Sequence, residues 1–182
     1  ASVKKYALEK IGELARPEGD KFLIQVASDA SDSELQHAAR LAHLNSRIIR
    51  EPSQAGKKLI LIKTMNEDPM RGFRSWAADE LCDMGDAASL PEIKKTIAYV
   101  DPSPSGKRRV SVCESKVQLL SKHSAKIEAF KSALADKDDD VRRWGIRQLE
   151  KLKSTEAEVA LMNFANDLQK DVRDSNERLL NL

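Results

Sequence analysis

The stretch DDDVRRWGIRQLEKL, residues 138–152, decides how this chain folds. Three acids run into a basic, amphipathic segment in which Trp144 and Gly145 stand side by side. An Asp just before a helix accepts hydrogen bonds from its first amides and complements its dipole. The acidic run therefore predicts a helix N-cap rather than a metal site. Whether the helix after it belongs to an ordinary bundle or to a repeat depends on whether its pattern recurs.

The pattern does recur. Phe73-Arg74-Ser75-Trp76-Ala77, followed by Leu81 and Met84, matches Val141-Arg142-Arg143-Trp144-Gly145, followed by Leu149 and Leu152. Both read apolar, Arg, any, Trp, small, then apolar eight and eleven positions on. Val3-Lys4-Lys5-Tyr6-Ala7, with Ile11 and Leu14, is a third copy. Weaker copies begin at Leu35, at Arg109 and at Val172. Successive starts are spaced 32, 38, 36, 32 and 31 residues apart. The apolar offsets share one helical face. The small residue at the fifth position (Ala7, Ala39, Ala77, Cys113, Gly145) suits close approach of another helix.

Other apolar segments lie between the copies: Phe22 to Val26, Leu59 to Met65, Ile93 to Val100, Ile127 to Leu134, and Val159 to Leu168. An acidic or proline-bearing turn follows each, at 29–32, 67–69, 101–102, 136–140 and Asp171. Residues 45–56 and 101–106 read as longer loops. Each unit is then a helix, a tight acidic turn and a second helix. A pair this short cannot bury both faces alone and must stack on its neighbours.

Composition agrees. The chain has 182 residues, 41% hydrophobic and 33% charged, with seven Gly and six Pro. That is long enough for a real core and too poor in turn residues for a many-stranded β architecture. A net charge of +2 gives no global nucleic-acid signal, so only local clustering bears on that class. No apolar run approaches a membrane span. The two cysteines, Cys82 and Cys113, are too few for a disulfide scaffold. Taking packed helices as about 8–10 Å apart, wider than a disulfide normally tolerates, both are read as free, with Cys113 in the core. The cytoplasm is the expected compartment, with a secreted or periplasmic product after signal cleavage as the alternative.

Helix, acidic turn, then Val-Arg-x-x-small-x-x-x-Leu resembles the HEAT repeat. EDPMRGFRSWAADELCDMGDAASLPEI (67–93) and DKDDDVRRWGIRQLEKL (136–152) carry the resemblance, and GDAASLPEI looks like the family's inter-repeat connector. It implies an all-α, right-handed α-α superhelix of about five helix pairs, with units near 1–16, 18–45, 54–85, 88–121, 123–153 and 155–182. It also implies a concave face lined by the second helix of each pair, and binding of proteins or, less often, nucleic acids. A few members are enzymes, among them DNA-repair glycosylases and phycobilin lyases. The chain opens on a second-type helix and stops inside the last one, which suits a segment of a longer protein.

The expected reading is a non-enzymatic binding or scaffold module for a protein or acidic peptide. The alternatives are a nucleic-acid-binding protein of the DNA-repair type and a lyase-like subunit. The candidate contact residues are Trp76, Lys107, Arg108, Arg143, Trp144 and Arg147. For the two tryptophans the competing reading is inter-repeat core with one edge wet, and it outweighs the contact role. Arg74, Arg142 and Arg173 are expected to pair with the acidic turn of a neighbouring unit. PSQAGKK (52–58) and PSPSGKR (102–108) place free amides before helices, yet lack phosphate-loop spacing. His37, His43 and His123 form no ligand set, and no catalytic motif, metal site or cofactor site is expected.

Overall fold

The computed structural model describes the backbone of residues 2–28 and 32–180 and the side chains of residues 3–28 and 32–170. Among them every regular element is helical: α1 (Ser2–Leu14), α2 (Pro17–Ser28), α3 (Ser33–Arg50), α4 (Gln54–Glu67), α5 (Arg71–Met84), a 3-10 turn (Ala87–Ser89), α6 (Leu90–Val100), α7 (Pro104–Lys122), α8 (Lys126–Ala133), α9 (Asp139–Leu152) and α10 (Thr155–Leu180). The chain is all-α. It divides into two compact units, Ala1–Ala77 and Ala78–Leu182, with the division inside α5.

Caps written in the sequence set the helix starts. Asp138 caps α9, its carboxylate accepting from the Asp140 amide at 2.8 Å. Asp32 does the same for α3, accepting from Glu34 and Leu35. Gly85, at φ +74°, ends α5 in the left-handed region, where a residue without Cβ carries no steric penalty. Leu90-Pro91 then opens α6 with proline in its first turn.

The expected loops at 45–56 and 101–106 are much shorter than predicted. α3 runs to Arg50 and α4 begins at Gln54, while α7 begins at Pro104. The two Pro-Ser stretches are helix starts. Ser53 and Ser103 are the N-caps, and each donates its amide to an acid two residues earlier, Glu51 and Asp101 respectively. That folded-back segment explains Gly106: a Cβ there would sit 1.8 Å from the Asp101 carbonyl oxygen. The expected turn at Asp171 is also absent, because α10 continues unbroken to Leu180. The predicted pairing of Arg173 lies outside the described side chains. So does most of the 29–32 turn, where only Asp32 is described.

In the first unit α1 packs on α2 and α3 around Leu8, Leu23, Ala39 and Ala42. Gly12 brings α1 so close to α3 that a Cβ would lie 2.5 Å from the Ala42 carbonyl oxygen. Asp20 is buried in this unit. It accepts from the Ser46 hydroxyl at 2.6 Å and is ion-paired with Arg50.

In the second unit α9 packs against α8, α7 and α10. Phe130, Val141, Trp144 and Leu149 form the centre of that core. Gly145 admits α8: a Cβ would meet Ala133 at 2.8 Å and the Phe130 carbonyl at 2.9 Å. Of the five small residues singled out by the repeat, Ala39, Ala77, Cys113 and Gly145 are buried and Ala7 is exposed.

Cys82 and Cys113 are joined by a disulfide, with Cα atoms 5.2 Å apart. The expectation of free thiols is therefore wrong, and the reason is geometric. Helix axes stand about 8–10 Å apart, but each Cα lies about 2.3 Å off its axis. Two Cα atoms facing each other are thus separated by about 3.4–5.4 Å, a range whose upper part overlaps that of disulfides.

Candidate binding surfaces

Four basic side chains of α7 and α9 in the second unit are neutralised by acids of the same unit. Arg109 donates to both carboxylate oxygens of Asp79, at 2.9 and 2.8 Å. Lys116 holds Asp83 at 2.7 Å and stands 5.7 Å from the Trp144 ring centroid. Arg108 contacts Asp138 at 3.3 Å and Asp140 at 3.1 Å, so it is tied to the turn before α9 rather than free. Arg142 pairs with Asp139 of its own turn, and its guanidinium also donates to the Asp136 carbonyl. It does not reach a neighbouring unit as predicted. Arg40 makes the predicted kind of link instead, to Asp68 at 2.6 Å.

Three basic residues on α9 differ. Arg143, Arg147 and Lys151 are exposed and have no ion-pair partner among the described residues. Their i, i+4, i+8 spacing puts them in one row on the helix surface. Arg147 also borders a cleft of about 300 Å³ with Asp79, Asp83, Arg109, Lys116 and Asp140. The disulfide forms part of its wall.

The other candidates are not gathered there. Lys107 borders a different, apolar cleft of about 520 Å³, with Lys95, Ala98, Pro102 and Val110. Lys107 and Arg109 are two residues apart on α7, so they point about 200° apart around the helix. Trp76 is half-buried and belongs to the first unit. Trp144 is not a surface residue at all: it is 0% exposed and packs edge-on against Phe130 at 5.3 Å. The contact role expected for it gives way to the core role. Its indole N–H has no hydrogen-bond partner among the described residues.

The histidines have separate surroundings. His37 stacks on Phe73 at 4.6 Å, and His123 Nε2 lies 3.1 Å from the Ser132 hydroxyl. Among the described residues no three His, Cys, Asp or Glu converge as a metal site would require. No helix among them is long and apolar enough to cross a membrane.

The sequence reading missed a further cleft, in the first unit. It encloses about 330 Å³ between α3 and α4, and its lining includes Arg40, His43, Arg47, Lys63, Glu67 and Asp68. The signal was present: residues 40, 43 and 47 share one face of α3. Burial holds the His43 pKa below its ordinary value; Asp20 opposes this, and Arg47 and Arg50 reinforce it. A depressed folded-state pKa means the unfolded chain takes up the proton first as pH falls. This contribution to stability is complete above about pH 6.5, the ordinary histidine value, and is lost on acidification below it. Urea unfolding of wild type and His43→Gln between neutral and mildly acidic pH checks this. The variant should lose less stability than wild type across that window.

No protein-family model, curated protein or solved structure matches the chain.

Proposed function

We propose that the chain is a non-enzymatic, HEAT-like repeat module whose α9 surface holds an acidic segment of a protein partner. Support for the repeat comes from the spacing of its cross-links. Arg50–Asp20 and Arg109–Asp79 each span 30 residues, Arg40–Asp68 28, Lys116–Asp83 33 and Cys82–Cys113 31. Gln148–Asp83 spans 65, about two such steps. Contacts of α1 with both α2 and α3, and of α7 with both α8 and α9, have the same next-and-next-but-one order. Links of one unit's length are what stacked helix pairs produce. The right-handed α-α superhelix is this reading's architecture.

The row Arg143–Arg147–Lys151 carries the functional reading. Nearby Arg109 and Lys116 on α7 are ion-paired with acids, whereas these three have no ion-pair partner among the described residues, Lys151 alone lying within electrostatic reach of an acid, Glu80. The helix backbone is already ordered when a partner docks, so the ordering cost is confined to the side chains, about 0.5–1.5 kcal/mol each. Arg also suits bidentate recognition of carboxylates.

The test is fluorescence anisotropy with a labelled Asp/Glu-rich peptide at low and moderate salt. Arg143→Glu/Arg147→Glu should weaken binding at least about tenfold, since two charge-assisted contacts become repulsive. Peptide binding unaffected by the reversal refutes the reading. Tighter, steeply salt-dependent binding of duplex DNA would favour the nucleic-acid alternative.

The disulfide also bears on compartment. Such bonds persist where the surroundings are oxidising. We therefore favour an extracytoplasmic setting over the cytoplasmic one expected from the low cysteine count.

A further inference from the structure

We propose that the cleft between α3 and α4 binds a small phosphate-bearing ligand, with Arg47 and Lys63 as the side chains that hold its anionic group. The site lies in the first unit and is independent of the α9 row.

Local charge points to an anion. Residues 40–74 carry eight Lys or Arg and three Asp or Glu, in a chain whose net charge is only +2. Within the cleft the charges divide clearly. Arg40 is committed to Asp68 and stands over the Phe73 ring at 5.0 Å. Asp68 is committed in return: its other oxygen accepts from the Met70 amide at 2.9 Å. That pair is part of the wall. Arg47 and Lys63 line the same cleft, are exposed, and have no ion-pair partner among the described residues. Glu67 is the remaining acid of the lining. His43 also lines the cleft, and burial holds its pKa below the ordinary histidine value. The Thr64 hydroxyl donates to the Ile60 carbonyl at 2.9 Å, so its proton is already used.

Size and chemistry favour a small phosphate ligand. A volume of about 330 Å³ lies at the lower end of the range for small-molecule sites. Guanidinium meets phosphate through two parallel N–H donors, and an ammonium adds a compact point charge. One guanidinium and one ammonium lining the same concavity suit one or two phosphates. A polyanion would need an extended stripe.

Isothermal titration of the full chain with inorganic pyrophosphate at low salt tests the proposal. Single-site binding is expected. Arg47→Gln and Lys63→Gln should each weaken it about tenfold, the loss of one charge-assisted hydrogen bond. Lys21→Gln, an exposed change on α2 outside the cleft, should leave it unchanged. Thermal midpoints measured on the same samples identify any variant that fails to fold, and the two cleft variants serve as independent tests. Absence of a binding heat with pyrophosphate overturns the proposal. So does an affinity indifferent to both cleft variants, or binding of a DNA duplex by a protein that ignores pyrophosphate.

Discussion

Breaking the Cys82–Cys113 bond should cost the protein about 3–4 kcal/mol of stability, which the loop-closure relation gives for a span of this length. The half-cystines are 31 residues apart, so the bond removes many open conformations from the unfolded chain. It joins the end of α5 to the middle of α7, where Arg109–Asp79 and Lys116–Asp83 already link the same two helices. Each half-cystine is only 2% exposed, so a thiol reductant has little access to it in the folded state. Reduction should be slow in native buffer and fast once denaturant opens the fold. Thiol titration of the denatured, unreduced chain should find no free cysteine. Urea midpoints with and without reductant, and for Cys82→Ala/Cys113→Ala, measure the size of the effect. Free thiols in the unreduced chain would show that the cross-link is absent, and coincident midpoints that it does not stabilise the fold.

Trp144→Ala should be comparably damaging, at about 3–5 kcal/mol, the usual range for deleting a large buried aromatic. The side chain is fully buried on the face of α9 that meets α8, edge-on to Phe130, in a spot that Gly145 keeps tight. The void cannot collapse easily when its neighbours are already in close contact. A fall of roughly 10 °C in the thermal midpoint follows for a chain of this size. Trp144→Phe should cost far less, because it keeps a ring against Phe130 and removes an indole N–H that has no partner. Trp76 occupies the same place in the repeat pattern but is only half-buried, so Trp76→Ala should destabilise less than Trp144→Ala. Equal losses at the two positions would show that the core does not distinguish them. Differential scanning calorimetry of the three variants decides the matter.

The matched pattern of the two tryptophans marks how far the sequence could be read. Their shared motif placed both correctly on helices, with the Asp138 cap ahead of one of them. It did not place them in equivalent environments. The α7 region shows the same limit. Its pattern suggested a copy beginning at Arg109, 36 residues after Phe73. The side-chain links instead pair α5 with α7 at separations of 30–33 residues. α7 starts at Pro104, because Ser103 caps it there and Gly106 lets Asp101 fold back over its first turn. The stretch was read as a loop because the Ser103 cap and the Asp101 turn, local though they are, were not recognised in Asp-Pro-Ser.

The candidate surface was legible only in part. Arg143 and Arg147 stand exposed as expected, whereas Arg108 is held by Asp138 and Asp140 and Trp144 is buried. Arg47 and Lys63 were overlooked because they lie on different helices, and neither helix reveals the other's orientation.

From sequence alone came the all-helical character, the caps at Asp32 and Asp138 and the close approach at Gly145, because each depends on neighbours within a turn or two. Tertiary structure alone decided which cations found acids, that Cys82 and Cys113 meet, and which tryptophan is enclosed. These outcomes depend on distances of a few ångströms between helices far apart in the chain. Spacing along one helix does not encode those distances.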